Sequence, residues 1–205
     1  MAKVKLTKGE LKRQRDALRQ YERYLPTLLL KKQQLQLEIL QQHSNLSDKN
    51  HLHEKKKESI LHWAGLMSDH EVDLRPWLKP LRVSVSARNV AGVDVPVFQR
   101  AEFAPAEYDL FSVPLWVDFA IEALRGMVAI EIEIAVIEEG LNILKQELRI
   151  TTQRVNLFDK IKIPEAREAI RLIKIYIGDQ MSNAVGRCKI AKRKIEELQL
   201  QEAAA

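Results

Sequence analysis

The side chains best suited to chemistry in this 205-residue chain are five histidines, one cysteine and several close carboxylate pairs. His51 and His53 lie two apart, with His62 and His70 further on. A metal site needs ligands that converge and outer groups that orient them. No pair here has the His-Glu-x-x-His spacing that sets two imidazoles on one helix face. Glu131 and Glu133, and Glu138 and Glu139, are one or two positions apart, and such neighbours on a helix do not face each other. They do not make an acid–base dyad. Cys188 lies between Arg187 and Lys189, a setting that can activate a thiol, but its spacing reads as a small residue on a helical seam. The chain has no phosphate-cradling glycine loop, no dinucleotide fingerprint and no nucleophile elbow. No catalytic residue, cofactor or metal site is predicted, and attention passes to the elements themselves.

Glycine and proline are sparse, at seven each, and 30% of residues are charged. Few breakers with many charges favour long solvated helices over a compact mixed fold. A single cysteine allows no intrachain disulfide, which fits a reducing compartment. The N-terminal MAKVKLTKGELK has no apolar core for a signal peptide. The most apolar run, Phe119 to Ile137, holds Glu122, Arg125, Glu131 and Glu133, which argues against a membrane span. The expected location is cytoplasmic, with any membrane association peripheral.

Thr7-Lys8-Gly9-Glu10 has the spacing of a capping box and predicts the start of a long helix. Heptads follow at Leu11, Leu18, Leu25, Lys32, Ile39, Leu46, His53 and Ile60. The companion set is Gln14, Tyr21, Leu28, Leu35, Gln42, Lys49, Lys56 and Trp63. Regular two-stranded packing is expected to about Leu46 and looser packing beyond it. Pro26 predicts a kink rather than an end, because the period continues through it. Residues 44–50, SNLSDKN, are poor helix formers and mark a possible break.

Five of the seven prolines fall between Ser68 and Pro114 and exclude a long helix there. Leu81, Val83 and Val85 alternate on one face of a strand, and Val93 to Val97 alternates again. Between them, Asn89 and Gly92 are the residues able to take positive φ, so the segment predicts a β-hairpin over about 81–97. Pro96 has to point its missing donor outward, on an edge strand. The last helix starts near Ser112-Val-Pro114. Its seam runs through Leu141, Leu144, Leu148, Thr151, Val155 and Phe158. It resumes after Pro164 at Ile170, Ile177, Ala184, Ala191 and Leu198, with Met181, Cys188 and Ile195 beside it. The register slips around Pro164, so a bend or local unwinding is expected there. Val128 to Ile134 alternates strictly but lacks flanking turn residues, and is read as helix.

The resulting expectation is a mainly α fold. An N-terminal helix (1–67, kinked at Pro26) and a C-terminal helix (114–205, bent near Pro164) form an antiparallel two-helix coiled coil. A head insertion (68–113) with the short hairpin sits at the turn end. At ~1.5 Å per residue the helices reach roughly 80 and roughly 130 Å, so a rod is expected.

The formal net charge is +5. Residues 1–32 hold ten Lys/Arg, among them Lys12, Arg13 and Arg15, against Glu10, Asp16 and Glu22. Near the other end lie Arg187, Lys189, Lys192, Arg193 and Lys194. An antiparallel fold brings the two regions to one end. With Pro26 and Pro164 level, paired positions sum to about 190 and Lys3 faces Arg187. Such a cationic tip suits an acidic protein partner. Nucleic acid is not expected, since the basic stretches have little aromatic interleaving and no recognised binding module.

Three segments carry a family resemblance: KLTKGELKRQRDALRQYERYLPTLLLKKQQL (Lys5 to Leu35), RNVAGVDVP (Arg88 to Pro96) and RVNLFDKIKIPEAREAIRLIKIYI (Arg154 to Ile177). They resemble the family of central-stalk D subunits of rotary V-type (A/V-type) ATPases and ATP synthases, over about a third of the chain. One departure lies at Val185 to Ile190, where the family has an aromatic residue and an Arg-Leu-Lys-type run. The resemblance implies a non-catalytic rotor shaft standing in a ring of catalytic and non-catalytic subunits (A and B type). It also implies a small F subunit on the side of the shaft and a membrane-associated socket over the ion-carrying ring. The basic tip residues named above would face the ring, and the chain itself would bind no nucleotide. Bends at Pro26 and Pro164 would make the shaft eccentric. Two other readings share the helices and the charge: a static helical-hairpin adaptor between protein complexes, and a coiled coil lying on an anionic membrane surface.

Overall fold

The computed structural model describes residues 5–68, 73–108 and 113–203. Helix α1 spans Lys8–Leu61 and is followed by a 3-10 turn at Ala64–Ser68 and the short α2 at Arg75–Leu78. Strands β1 (Pro80–Val90) and β2 (Val93–Phe103) form one antiparallel hairpin. Helix α3 (Trp116–Leu157) runs into a π turn at Phe158–Lys162 and continues as α4 (Ile163–Ala203). The fold is mainly helical, with N- and C-terminal helices and a two-stranded hairpin, as the sequence predicts. The chain divides into two compact units. One comprises the chain up to Leu29 and from Gln153 onward, and the other Leu30–Thr152.

The start of α1 follows its capping residue. Thr7 Oγ1 accepts the Glu10 amide at 3.2 Å, and the Thr7 carbonyl accepts the Leu11 amide at 3.0 Å. The Glu10 carboxylate takes the Gln14 amide group at 2.7 Å instead of turning back to the cap. The helix then runs unbroken through Pro26 and through residues 44–50, which form a helix face rather than the possible break. Burial explains why. All sixteen heptad positions from Leu11 to Trp63 are buried or half-buried, on both sides of Leu46. Tertiary cover overrides weak local propensity there.

In the second unit α1 and α3 run antiparallel. Lys31 pairs with Glu147 and Lys49 with Glu133, each at 2.8 Å. Their position numbers sum to 178 and 182 rather than 190. Leu35 and Leu144 are both 0% exposed and enclose Val95 of the hairpin. In the polar half of the seam, Lys49 is matched by Glu133, but His53 Nε2 is buried with no hydrogen-bond partner among the described residues. Val128 to Ile134 is helical, as expected.

The hairpin is longer than the sequence indicated. Val90 and Val93 close a two-residue turn, with Ala91 at φ 50° and Gly92 at φ 79°. Two successive positive φ values define the mirror-image turn whose twist suits a hairpin. Ala91, not Asn89, accompanies Gly92 in that region. Asn89 belongs to β1, where its side chain accepts the Gly92 amide at 3.0 Å and donates to Asp94 at 2.7 Å. Counting alternate pairs from Val90–Val93 places Pro96, opposite Ala87, at a position that exchanges no ladder hydrogen bonds. Its missing donor therefore costs the hairpin nothing. The face carrying Leu81, Val83 and Val85 does not reach a core: Leu81 is 71% exposed. The opposite face does, through Val95.

Two side chains fix the hairpin to the helices. Arg88 pairs with Glu38 of α1. Arg125 of α3 donates to the Trp77 carbonyl at 2.9 Å and to the Ala104 carbonyl at 2.5 Å, and lies over the Phe103 ring. It ties both ends of the hairpin to one helix. Nearby, Leu74, Val117, Ala120 and Ile121 form a second small core. Tyr108 beside it donates to Asp118, and this bond to the neutral phenol raises the tyrosine pKa above its usual value. Ser112 lies outside the described residues, and the Pro114 carbonyl accepts the Val117 amide at 3.1 Å as α3 begins.

In the first unit Tyr21 stacks on Phe158, with centroids 5.4 Å apart, and Glu22 accepts from Arg167 at 2.9 Å. The latter pair alone meets the expected sum of about 190; Lys3 lies outside the described residues. The seam of α4 is buried at Ile163, Ala166, Ala169, Ile170 and Ile173. From Gly178 to Glu197 every residue is exposed, including Met181, Ala184, Cys188, Ala191 and Ile195, which were expected on the seam. The first four residues lie outside the described chain, and the described part of α1 begins too late to cover this stretch.

Two substitutions test this packing. A Cβ at Gly140 would sit 2.8 Å from Val95 Cγ1. Gly140→Ala is expected to destabilise the chain by about 1–3 kcal/mol, because the hairpin has to move off its seat. Gly178→Ala, where a Cβ meets nothing within 4 Å, is expected to stabilise by up to about 1 kcal/mol. A third, His53→Leu, removes a buried unsatisfied nitrogen and is expected to gain about 1–3 kcal/mol. Denaturant unfolding of the purified variants measures all three.

Candidate partner-binding surfaces

The basic residues predicted as a tip all lie in the first unit and all are exposed: Lys12, Arg13 and Arg15 on α1, and Arg187, Lys189, Lys192, Arg193 and Lys194 on α4. They are not equivalent. Lys192 and Arg193 pair one turn ahead with Glu196 and Glu197, at 3.6 and 3.0 Å. Arg187, Lys189 and Lys194 have no ion pair among the described residues. Exposed Val185 precedes these cations and exposed Ile190 stands among them. This segment of α4 is a lone helix, apolar and cationic by turns, with no cover from the described residues of its own chain. Nearer the seam, Arg171 is doubly bonded to Glu168, at 2.7 and 2.9 Å. The guanidinium holds the Glu168 carboxyl below its usual pKa, and the carboxylate raises that of Arg171.

Sequence reasoning missed a second surface. In the second unit the outer face of α1 presents Leu30, Gln33, Leu37 and Leu40, spaced three and four apart. Leu37 and Leu40 are each 67% exposed. Gln33, Gln36, Leu37, Ile39, Leu40 and Leu148 of α3 line a shallow groove. Lys145 and Arg149 flank Leu148 and are exposed. The signal was present in the sequence as a second apolar repeat offset from the first. It was masked because the heptad reading assigned one face and left the rest to solvent.

A third exposed apolar surface is the outward face of the hairpin, with Leu81, Val83 and Val85. Elsewhere, Leu115 and Phe119 stand one turn apart and exposed at the start of α3. Pro26 and Pro164, expected as bends, lie within α1 and in the first turn of α4, directly after the π turn. Among the described residues no three His, Cys, Asp or Glu side chains converge as a metal site would require, and no helix is long and apolar enough to cross a membrane.

Surfaces of this kind fit a part that is built into a larger assembly, and comparison with known proteins agrees. The model of the family described as the D subunit of ATP synthase matches residues 10–193. The chain is 43% identical over 192 residues to the V-type ATP synthase D subunit of Borreliella burgdorferi, covering 94% of this chain and 95% of that protein. It is 36% identical over 201 residues to the protein of the same name in Chlamydia abortus, covering 96% and 95%. Since the match spans nearly every element described above, from α1 through the hairpin to the basic stretch of α4, the chain belongs to the family of ATP synthase D subunits.

Proposed function

We propose that this chain is the non-catalytic central rotor shaft of a rotary V-type ATPase or ATP synthase. It would couple ATP hydrolysis or synthesis in a ring of catalytic and non-catalytic subunits to ion transport across a membrane, as a cytoplasmic component peripheral to that membrane. One observation carries the reading: α1 is covered at every heptad position, while α4 from Gly178 onward is bare and cationic. Two packed helices resist twisting better than one, and an uncovered end is available to a surrounding ring.

The bare segment of α4 is the part that would turn inside the ring. A rotating tip has to meet successive subunits with similar affinity, because a deep energy well at one of them would stall it. Spread charge on exposed helix suits that better than a few buried anchors, which concentrate binding energy at single contacts. The groove along Leu37 and Leu40, with exposed Leu30 one to two turns before it, fits an amphipathic helix laid against α1, with apolar anchors at helical spacing. That is the seat proposed for the small stalk F subunit. The exposed Leu115 and Phe119 are offered to the membrane-associated socket. No nucleotide site is assigned to this chain.

Two experiments test the assignment. Leu37→Asp with Leu40→Asp is expected to weaken capture of the small stalk partner at least about tenfold, two buried anchors being worth more than about 1.4 kcal/mol. Capture of the ring should be unaffected, as read by copurification. Arg187→Glu, Lys189→Glu and Lys194→Glu together are expected to lower ATP-driven rotation of a probe on the shaft. The loss should be largest at low salt, where exposed charges are least screened. A chain that copurifies with a ring yet never turns relative to it would make it a static tether instead.

A further inference from the structure

The seam of the return helix contains one residue too many. Upstream it runs Leu141, Leu144, Leu148, Thr151, Val155, Phe158, in steps of three and four. A regular helix would next present Lys162 and Glu165. The buried positions are instead Ile163, Ala166, Ile170 and Ile173, one residue later, with Ala169 buried beside Ile170, while Glu165 is exposed. The π turn at Phe158–Lys162 absorbs the difference, because a turn closed by i→i+5 bonds holds one more residue. Helix α1 carries no matching insertion: its heptads run unbroken from Leu11 to Trp63.

Three features set this turn apart from the helix on either side. The Ile163 amide bonds the Phe158 carbonyl, five residues back. The next residue, Pro164, has no amide to donate. Asp159, Lys160 and Ile161 are exposed and add no tertiary cover. The turn is nonetheless fixed in position. Sliding the extra residue toward α4 would drive Lys162 and Glu165 into the seam, and sliding it the other way would bring in Asn156 and Asp159. Phe158 marks its upstream edge by stacking on Tyr21, and Ile163 marks its downstream edge by burial.

We infer that Phe158–Pro164 is a torsional joint: the place where the return helix yields first to twist and from which it recovers. The seam on either side keeps its grip, while the backbone between has its weakest run of axial hydrogen bonds. The use of this compliance rests on the rotor reading above. A shaft that yields at one fixed turn holds twist between the steps of the ring and releases it smoothly.

The test uses the full chain assembled in its ATPase complex. In the unaltered chain, amides 160–163 are expected to exchange with solvent at least about fivefold faster than amides 167–173, the equivalent of one lost helical hydrogen bond. Deleting Lys160 brings Ile163 into the regular seam position. It is expected to abolish that difference and to narrow the angular spread of a probe on the shaft during its pauses. Pro164→Ala restores one donor without altering the seam, and is expected to slow exchange part of the way. It stands in for the deletion should the shortened chain not fold. Equal exchange across both segments in the unaltered chain overturns the joint. So does an unchanged angular spread in a variant whose exchange has slowed. A complex whose probe does not turn at all, with fast exchange at 160–163, keeps the joint and removes the rotor reading.

Discussion

Everything in this chain is fitted to one constraint: α1 must present the same narrow stripe to its neighbour from Leu11 to Trp63. A side chain such as Leu35, sealed between Leu144 and Val95, contributes about 1.5–3 kcal/mol by leaving water. Few positions are buried so fully, so the stripe works by repetition rather than by a deep core. That explains features that look like exceptions. Helix α1 passes Pro26 and the polar residues 44–50 because neighbouring seam positions on both sides hold it. Gly140 is a glycine because the hairpin comes to rest there. Even Lys49 keeps its place on the stripe by meeting the Glu133 carboxylate on α3, as Lys31 beside the stripe meets Glu147.

The fold was largely legible in the sequence because heptad spacing and proline density are direct records of helix pairing and helix exclusion. The sixteen seam positions follow from period, the hairpin from alternation together with its turn residues, and the helical reading of Val128 to Ile134 from the lack of flanking turn residues, against a strand-like period. What was not legible depends on cover from elsewhere in the chain. Residues 44–50 read as a break because propensity carries no account of α3 beside them. Asn89 was assigned the positive φ because asparagine tolerates it more readily than alanine. The turn instead falls one pair further on, and uses the asparagine side chain to brace it. Leu81, Val83 and Val85 alternate as a buried face would, yet they point away from the helices. Alternation says which residues share a face and not which face is covered.

The candidate surfaces were less legible than the fold. The basic residues were visible as a list, but their inequality was not. Glu196 and Glu197 occupy Lys192 and Arg193 in part, a weak i,i+4 effect of about a few tenths of a kcal/mol, and leave Arg187, Lys189 and Lys194 free of any ion pair among the described residues. The apolar stripe through Leu30, Leu37 and Leu40 was written in the sequence but had no owner until the first stripe was seen to be fully used. A helix with two apolar stripes offers two faces, and the described residues of this chain cover only one of them.

The bare length of α4 has a consequence for the life of the protein before it is assembled. An uncovered stretch of helix keeps only its backbone bonds and local pairs, because most helical stability in proteins comes from tertiary packing of an apolar face. Until a neighbour shields it, the segment from Gly178 onward opens often and offers its backbone to any protease, while the covered seam does not. A neighbour that covers this stretch would remove that exposure.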